Sequence, residues 1–533
     1  MANKNILLIE PGYQNKYPPL GLMKIAQYHG VHGKRDRVVF IKGRDASVLL
    51  ETWDRIYVTT LFSFEFDRIA ETIDFAIAAA HNQTHKVFVG GIAASLMTEM
   101  FQEEARWSGV RFIRGLLSES PAISLQLDDF SEELYSDDRA GTPIEDLVPD
   151  YSILDQIDYS YPVRDAYFAY ASRGCIRKCH FCGVPKLEGA LRDTQSITGI
   201  VNEIDRLYGP QKDLILMDNN VVASPSFKEI IAEIRDLGFT PNAKLRRNGR
   251  TYNRRVDFNQ GVDARILSKD QVYLRELSSI AIRPLRIAFD HWGLRTPYEQ
   301  SIRYANEFGL NNLSNYMLYN FHDTPKDLFE RMRLNVALNE ELGIRIFSFP
   351  MRYQPTNLPN RSHVGERWTR YQLRGMQIIL QATHGVVSGE PEFFRRAFGD
   401  TYREFEELLL RPQHMLFNRS WYDQGPDRPR FEDFTSQLHA LSVEQRAELL
   451  DFLSLHNPSR FAAERPTMKD SQIRRILEHY VPPPKSYEQD IWSKSRDRQP
   501  QMSFMPSAEE LVEDAGLNAD SAAEDDAFVK QTA

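Results

Sequence analysis

The stretch Tyr167-Phe168-Ala169-Tyr170-Ala171-Ser172-Arg173-Gly174-Cys175-Ile176-Arg177-Lys178-Cys179-His180-Phe181-Cys182-Gly183 decides the reading of this chain. A short apolar strand ends at Ala171, Gly174 turns the backbone, and three thiols follow at C-x₃-C-x₂-C spacing. These are all the cysteines of a 533-residue chain. Three thiols in eight residues make a poor disulfide framework and point to a reducing compartment. Compact cysteine loops of this kind hold iron–sulfur clusters through thiolates. With no fourth cysteine, one iron of a cubane would be left open for another ligand. Arg173, Arg177 and Lys178 are placed to balance the anionic thiolates. Structural zinc with His180 as the fourth ligand is the competing reading. It is disfavoured because His180 adjoins Cys179 and because zinc sites usually join two separated ligand pairs.

Outward from the loop, the residues that follow alternate between strands and helices. Strands are predicted at 167–171, 214–217, 256–259, 285–289, 315–318 and 344–349. Helical segments are predicted between them at 196–208, 226–237, 268–277, 297–308 and 324–342. Six strands with crossover helices imply an open (βα)₆ sheet, curled as part of a barrel, with its chemistry at the carboxyl ends of the strands. Residues 1–135 form an earlier α/β series. Its apolar runs Ile6–Ile9, Arg37–Ile41, Ile56–Thr59, Val87–Val89 and Val110–Ile113 are those of a Rossmann-like parallel sheet covered on both faces. Gly90-Gly91 follows one of these strands, either as a tight turn or as a place of close approach. Residues 136–165 form a linker, 366–490 a helical domain, and 491–533 a disordered acidic tail. The fold class is therefore α/β, with a helical C-terminal domain.

The hydrophobic fraction of 42% and the charged fraction of 26% are those of a globular protein. No run reaches the roughly 18 apolar residues of a membrane span, and a cytoplasmic location is the default. The net charge of −9 is carried mostly by the tail: from Pro506 onward there are eight acidic residues and one lysine, leaving −2 elsewhere. A near-neutral body does not indicate nucleic acid. Six cations between Lys244 and Arg255 form a basic loop ahead of the third strand, most simply a solvated face.

The C-x₃-C-x-aromatic-C motif on the first strand of a (βα)₆ series resembles the radical S-adenosylmethionine (SAM) superfamily, from about Tyr167 to Tyr353. The resemblance implies a [4Fe–4S] cluster on Cys175, Cys179 and Cys182, with SAM on the open iron. Reductive cleavage of SAM would then give methionine and a 5′-deoxyadenosyl radical. It also implies an external low-potential electron donor of flavodoxin or ferredoxin type. Phe181 would pack beside the adenosine. Asp218 and Asn219, after the second strand, stand where the family commonly has a Gly-Gly-Glu-like segment, although the glycines are absent here. Asn259, Gln260, Asp263 and Arg265, after the third strand, would meet ribose hydroxyls and the methionine carboxylate. Asp290-His291 and Asn320 to Asp323 could face substrate.

Residues 1–135 resemble the cobalamin-binding-like module of one large subgroup, through Tyr17-Pro18-Pro19-Leu20-Gly21-Leu22 and Val89-Gly90-Gly91-Ile92. The Asp-x-His-x-x-Gly motif that ligates cobalt in other cobalamin proteins is absent, as is usual in the subgroup. Cobalamin-dependent methyl transfer is the leading reaction. Radical rearrangement or cyclisation stands beside it. The rival from another class is an iron–sulfur or zinc protein that carries electrons or senses without turnover. Methylthio transfer is disfavoured, because residues 1–165 hold no cysteine for a second cluster.

Overall fold

A computed structural model of the chain describes residues 3–117 and 143–481. The predicted boundary near residue 135 and the acidic tail lie outside these residues. The chain divides into two compact units. The first comprises Met1–Ala288, Thr296–Leu313 and Tyr353–His363; the second comprises Phe289–Arg295, Ser314–Arg352 and the described part of Val364–Ala533. Among the described residues, no helix is long and apolar enough to cross a membrane.

The first unit begins with five strands: β1 (Asn5–Glu10), β2 (Arg37–Lys42), β3 (Arg55–Thr60), β4 (Val87–Gly91) and β5 (Arg111–Phe112). They pair in the order β2-β1-β3-β4-β5, every pair parallel. Ile6, Leu7, Leu8 and Ile9 are completely buried, which is why β1 is an unbroken apolar run rather than an alternating one. The helix Phe66–Ala79 turns Ile69, Ile73 and Ala76 toward the core. From β1 the chain crosses to β2 on one side and then to β3 on the other. The crevice at the carboxyl ends of β1 and β3 is therefore the switch point at which such sheets bind ligands.

A second parallel sheet follows in the same unit, its middle strand paired on either side with the other two. Its strands are β6 (Ala166–Ala169), β9 (Asp213–Leu216) and β12 (Val256–Phe258). Beside β6 runs the short antiparallel pair β7 (Ser172–Arg173) and β8 (Arg192–Asp193). Ala169 and Phe258 both align with Leu216, so the three strands of the larger sheet end in one row. The segments after each strand consequently emerge together. Strand β13 (Leu285–Arg286) continues the series through parallel bridges from Val256 to Ile282 and from Val262 to Ile287. A bidentate pair between Arg286 and Asp257, both N···O distances 2.8 Å, is buried between β12 and β13.

The predicted basic loop is instead a hairpin, β10 (Lys244–Arg247) with β11 (Arg250–Asn253). Three of its six cations serve the fold. Arg247 pairs with Asp165, Arg255 pairs with Asp213 at 3.1 Å, and Arg254 lies over the Phe239 ring. Lys244, Arg246 and Arg250 remain exposed.

The second unit carries β14 (Asn312–Tyr319, from Ser314 onward) and its neighbour β15 (Arg345–Arg352), joined by the helix Pro325–Leu342. Thr324 and Asp327 close a capping box at the start of that helix, and Gly343 ends it in the left-handed conformation. All six strands of the predicted series are thus present, in order. The helices Arg370–Ala382, Tyr402–Leu410 and Val443–Leu455 match the predicted helical region and build their own core around Phe434, Leu449 and Ile476. Two predicted helices form only in part. The 268–277 segment begins late, as Val272–Ser278, with a separate short helix Ala264–Leu267 ahead of it and Asp270 accepting Val272 N–H at 2.9 Å between the two. The 467–480 segment keeps only Ser471–Ile476 as α-helix, capped by Asp470.

Candidate functional site

The cysteine loop is clamped at its base. Ser172 aligns with Asp193 and Arg173 with Arg192, so residues 174–191 leave and re-enter through one small ladder. Gly174 has φ +76°, and a Cβ there would lie 2.2 Å from the carbonyl oxygen of Ala190. Only glycine satisfies both conditions. Cys175 N–H then donates to Gly189 O at 3.3 Å, and Cys182 N–H to Cys179 O at 3.1 Å. Two backbone N–H groups point at sulfur: Arg177 toward Cys175 Sγ at 3.3 Å and Val184 toward Cys182 Sγ at 3.5 Å. All three cysteines are half-buried.

Below the loop runs a buried chain of charge. Lys24 bonds Glu145 at 3.2 Å, Glu145 takes a second bond from Arg173, and Arg173 donates to Glu188 at 3.1 Å. Glu188 also accepts Gly174 N–H and the Asn219 amide, each at 2.8 Å. The Arg173 guanidinium lies 3.2 Å from the centroid of the Tyr170 ring. Burial pushes Glu145 upward, but Lys24 and Arg173 outweigh it and hold its carboxyl below the usual range. Arg173 is therefore neutralised by two carboxylates and is not the counter-charge for the thiolates expected from sequence. Arg177 is likewise engaged, donating to Asp263 at 2.7 Å.

The predicted binding residues divide by what already holds them. Asp218 is 1% exposed. It accepts Ala171 N–H at 3.0 Å, Ser172 N–H at 2.5 Å and Ser172 Oγ–H at 2.7 Å. Burial raises its pKa to about 6 against these bonds. Its carboxylate fixes the turn that launches the cysteine loop. Asn219 holds Glu188, as described. Asp263 takes Arg177 from the loop and Arg265 from its own helix, the latter through Nε at 2.7 Å. Burial works against its charge, yet these bonds keep its pKa below the ordinary value. Asn259 accepts the Tyr17 hydroxyl at 2.6 Å. Gln260 is exposed, while Phe181 is half-buried beside Cys182. Cys175, Asp218, Asn219 and Asp263 are thus joined in one hydrogen-bonded assembly. Asn259 is joined instead to the first loop of the five-stranded domain.

The polar segments after β13 and β14, in the second unit, are organised by Arg331, which is completely buried. It donates to the carbonyls of Phe289, Asp290 and Leu318 and to Asp323 at 2.8 to 3.1 Å. Asn320 accepts Gly365 N–H at 2.7 Å. Asp323 therefore holds its own loop, while Asn320 ties that loop to the segment at Gly365.

Comparison with known proteins gives the following. No family model matches the sequence. An uncharacterized methyltransferase of Synechocystis sp. is 25% identical over 299 residues, which is 55% of this chain and 50% of that protein. The chain thus spans about half the length of this curated relative. Among solved structures, the radical SAM methyltransferase TsrM from Kitasatospora setae, with cobalamin and a [4Fe–4S] cluster bound, aligns over 67% of this chain and 74% of its own. The TM-score is 0.46 and the identity 16%. HydG, a maturase of the [FeFe]-hydrogenase, aligns over 81% of this chain and 97% of its own, with a TM-score of 0.30 and 15% identity. Neither alignment carries weight here; the C-x₃-C-x₂-C loop at the end of the first strand of the six-strand series does. That loop is the feature that resembles the radical SAM superfamily.

A [4Fe–4S] cubane held by three cysteines takes each thiolate on a separate iron. Among the described residues, no group of three or more His, Cys, Asp or Glu side chains is gathered around a single-ion position. Three thiols on one clamped loop, two of them receiving backbone N–H groups, suit the cluster. The five-stranded domain also touches this loop. The helix Ile92–Leu96 follows β4 directly, and a Cβ at Gly183 would lie 3.2 Å from Leu96. Gly91, at φ +103°, would drive a Cβ to 2.3 Å from Thr60 O. Gly91 is thus explained by the close approach of β3 to the start of this helix, whereas a Cβ at Gly90 would meet only Ile113, at 3.6 Å. Sequence reasoning missed Lys24, Glu145 and Glu188. Their partners lie 14 to 121 residues away along the chain, and only the close spacing of Glu188 to Cys182 hinted at a role.

Proposed function

We propose that this chain is a radical SAM enzyme that uses a corrinoid held by its first domain for methyl transfer to an unreactive carbon. Cys175, Cys179 and Cys182 would hold a [4Fe–4S] cluster. When bound, this group supplies the open iron that chelates SAM and the electron for its reductive cleavage. The observation that carries the reading is the loop itself: three thiols whose geometry is imposed by Gly174, the β7–β8 ladder, Asp218 and the Glu188 hub. Each of those constraints costs conformational freedom that a solvent-exposed cysteine segment would not need. The roles of the chain's own residues follow. Asp218 and Glu188 set the backbone path of the loop, and Asp263 holds it through Arg177. Arg265, held against Asp263, and Gln260, whose side chain is exposed, would meet the carboxylate and hydroxyls of SAM.

The corrinoid part rests on the switch-point crevice of the parallel sheet and on the Leu96 contact, which brings the end of β4 against the cysteine loop. The name of the Synechocystis relative supports methyl transfer as the reaction class. A corrinoid would lie over the carboxyl ends of β1, β3 and β4, where Tyr13 packs edge-on against Phe62 at 5.4 Å and Phe62 stacks on Phe64 at 5.3 Å.

The test is anaerobic. The chain is reconstituted with iron and sulfide and reduced with dithionite, and 5′-deoxyadenosine is measured after addition of SAM, with and without hydroxocobalamin. Cys179→Ala serves as the control. Nucleoside formed by the wild type and lost in the variant supports the radical reading. Corrinoid retained through gel filtration supports the methyltransferase. Nucleoside without corrinoid binding would favour rearrangement or cyclisation. A cluster that never cleaves SAM would favour the electron-carrier rival.

A further inference from the structure

The hairpin β10–β11 takes no part in the chemistry proposed above, and its two faces differ in what they carry. Asn248 and Gly249 both have positive φ, +53° and +75°, so a tight turn of the primed kind joins the strands and fixes their register. That register sets Leu245 opposite Tyr252 and Arg247 opposite Arg250 on one face. Leu245, Arg247 and Tyr252 are half-buried, and Arg247 ties this face to the body through Asp165 and through Pro210 O at 2.9 Å. The other face is made by Lys244 opposite Asn253 and by Arg246 opposite Thr251, and all four are exposed.

This outer face is wholly polar, and its charge is of one sign. Residues 244–255 contain six cations and no carboxylate. Asp165 and Asp213, which pair with the hairpin segment, are taken by Arg247 and Arg255 on the side toward the body. Among the described residues, neither Lys244 nor Arg246 has a carboxylate at ion-pairing distance. Arg250, at the turn, is exposed as well. Exposed Arg283 stands at the same end of the sheet, its N–H donating at 2.9 Å to the carbonyl of Val256, where β12 begins. The near-neutral charge of the body hides this local excess.

The residue types select among anionic partners. An interface with another protein is built around apolar or aromatic anchors, which four polar side chains do not supply. Single-stranded nucleic acid is held on aromatic rings against which its bases stack. The one ring of the hairpin, Tyr252, belongs to the inner face, with its centroid 5.7 Å from the Arg247 guanidinium. Lys, Arg, Thr and Asn are the side chains that donate to the phosphates and sugars of a duplex. A two-stranded ribbon is also an element that the major groove of B-form DNA admits, whereas the major groove of an RNA duplex is deep and narrow.

We infer that the outer face of the β10–β11 hairpin docks duplex DNA, with Lys244 and Arg246 on phosphates and Thr251 and Asn253 donating beside them. The hairpin precedes β12, whereas the cysteine loop follows β6, so the duplex lies at the opposite end of the sheet from the loop. The contact tethers the protein and presents no base to the thiols.

The experiment uses the full chain and fluorescently labelled duplexes of one mixed sequence, made as DNA and as RNA, with single-stranded DNA and acidic phospholipid vesicles alongside. Binding is read as anisotropy for the nucleic acids and as co-sedimentation for the vesicles, over a series of salt concentrations. Duplex DNA should bind the wild type with a dissociation constant of about 10⁻⁵ M at physiological salt and weaken steeply as salt rises. Arg246→Glu should weaken this binding about tenfold at low salt, and Lys244→Gln and Arg246→Gln should each make log affinity against log salt shallower by about 1. Lys228→Glu removes an exposed cation from the helix Phe227–Asp236, which follows β9, and should bind as wild type. Denaturation midpoints should match the wild type throughout, since every altered side chain is exposed. The inference is overturned by an absence of duplex binding, by equal salt slopes in wild type and both glutamine variants, or by an equal loss in Lys228→Glu. Binding of single strands, duplex RNA or vesicles as tight as that of duplex DNA would overturn it too.

Discussion

Replacing Gly174 by alanine tests whether the cysteine loop is shaped by its backbone. The left-handed conformation alone costs a non-glycine residue about 1–2 kcal/mol. At Gly174 a second cost is added, since the new Cβ would lie 2.2 Å from Ala190 O. That carbonyl must retreat by roughly 1 Å to reach ordinary contact. Retreat loosens the Arg173–Arg192 rung and the Cys175 N–H bond to Gly189, each worth about 1 kcal/mol. The total is about 3–4 kcal/mol. Gly189 supplies a control from the same loop, because it has φ +73° but nothing within 4 Å of its notional Cβ. Gly189→Ala should therefore cost only about 1–2 kcal/mol. The assay is the denaturation midpoint of the unloaded chain, together with iron and sulfide per chain after reconstitution. Gly174→Ala should lose most of its iron, while Gly189→Ala should keep it. Equal iron in the two variants would refute the argument that close packing at Gly174 shapes the loop.

Other outcomes follow from the buried charges. Arg173→Met should destabilise the chain by about 3–5 kcal/mol in urea, because Glu145 and Glu188 are left buried without their shared cation; Arg173→Lys should recover part of this. For Asp218 the folded pKa, about 6, exceeds the unfolded value near 3.8. The folded state therefore binds the extra proton between these values, and the stability this group contributes is full below pH ~4 and lost as pH rises through about 6. The change is about 3 kcal/mol, and Asp218→Asn should flatten the dependence of the urea midpoint on pH across that window. Tyr17→Phe should cost about 1 kcal/mol by removing the bond to Asn259. Adding Asn259→Ala to it should cost less than the sum of the single variants, measured as a double-mutant cycle.

The strands of both sheets were legible because burial on two faces makes each an uninterrupted apolar run, as in Ile6–Ile9 and Leu214–Leu216. The cysteine loop was legible because its chemistry is local: glycine, three thiols and an aromatic residue lie within nine positions. The partners of Arg173 and Arg177 were not. A cation beside thiolates in sequence gives no sign that Glu145 or Asp263 will take its charge, since those contacts are made by the fold. The same limit hid the hairpin at residues 244–253, where strand pairing across Asn248-Gly249 turns a run of charge into ordered structure and commits Arg247 to Asp165. The late start at Val272 was signalled locally, by Asp270, whose carboxylate accepts Val272 N–H, but helical periodicity continued across it. Asp218 was read as a ligand because it follows a strand; its role as the brace of the turn rests on its burial, which only three dimensions reveal.

The central claim is that the three-cysteine loop holds a [4Fe–4S] cluster with one iron open to SAM. Electron paramagnetic resonance of the reduced, reconstituted chain, recorded before and after SAM is added, tests it most directly. The account predicts a [4Fe–4S]⁺ signal that shifts on addition of SAM and is abolished by Cys179→Ala. A signal indifferent to SAM, or a chain that retains zinc and assembles no cluster, would contradict it.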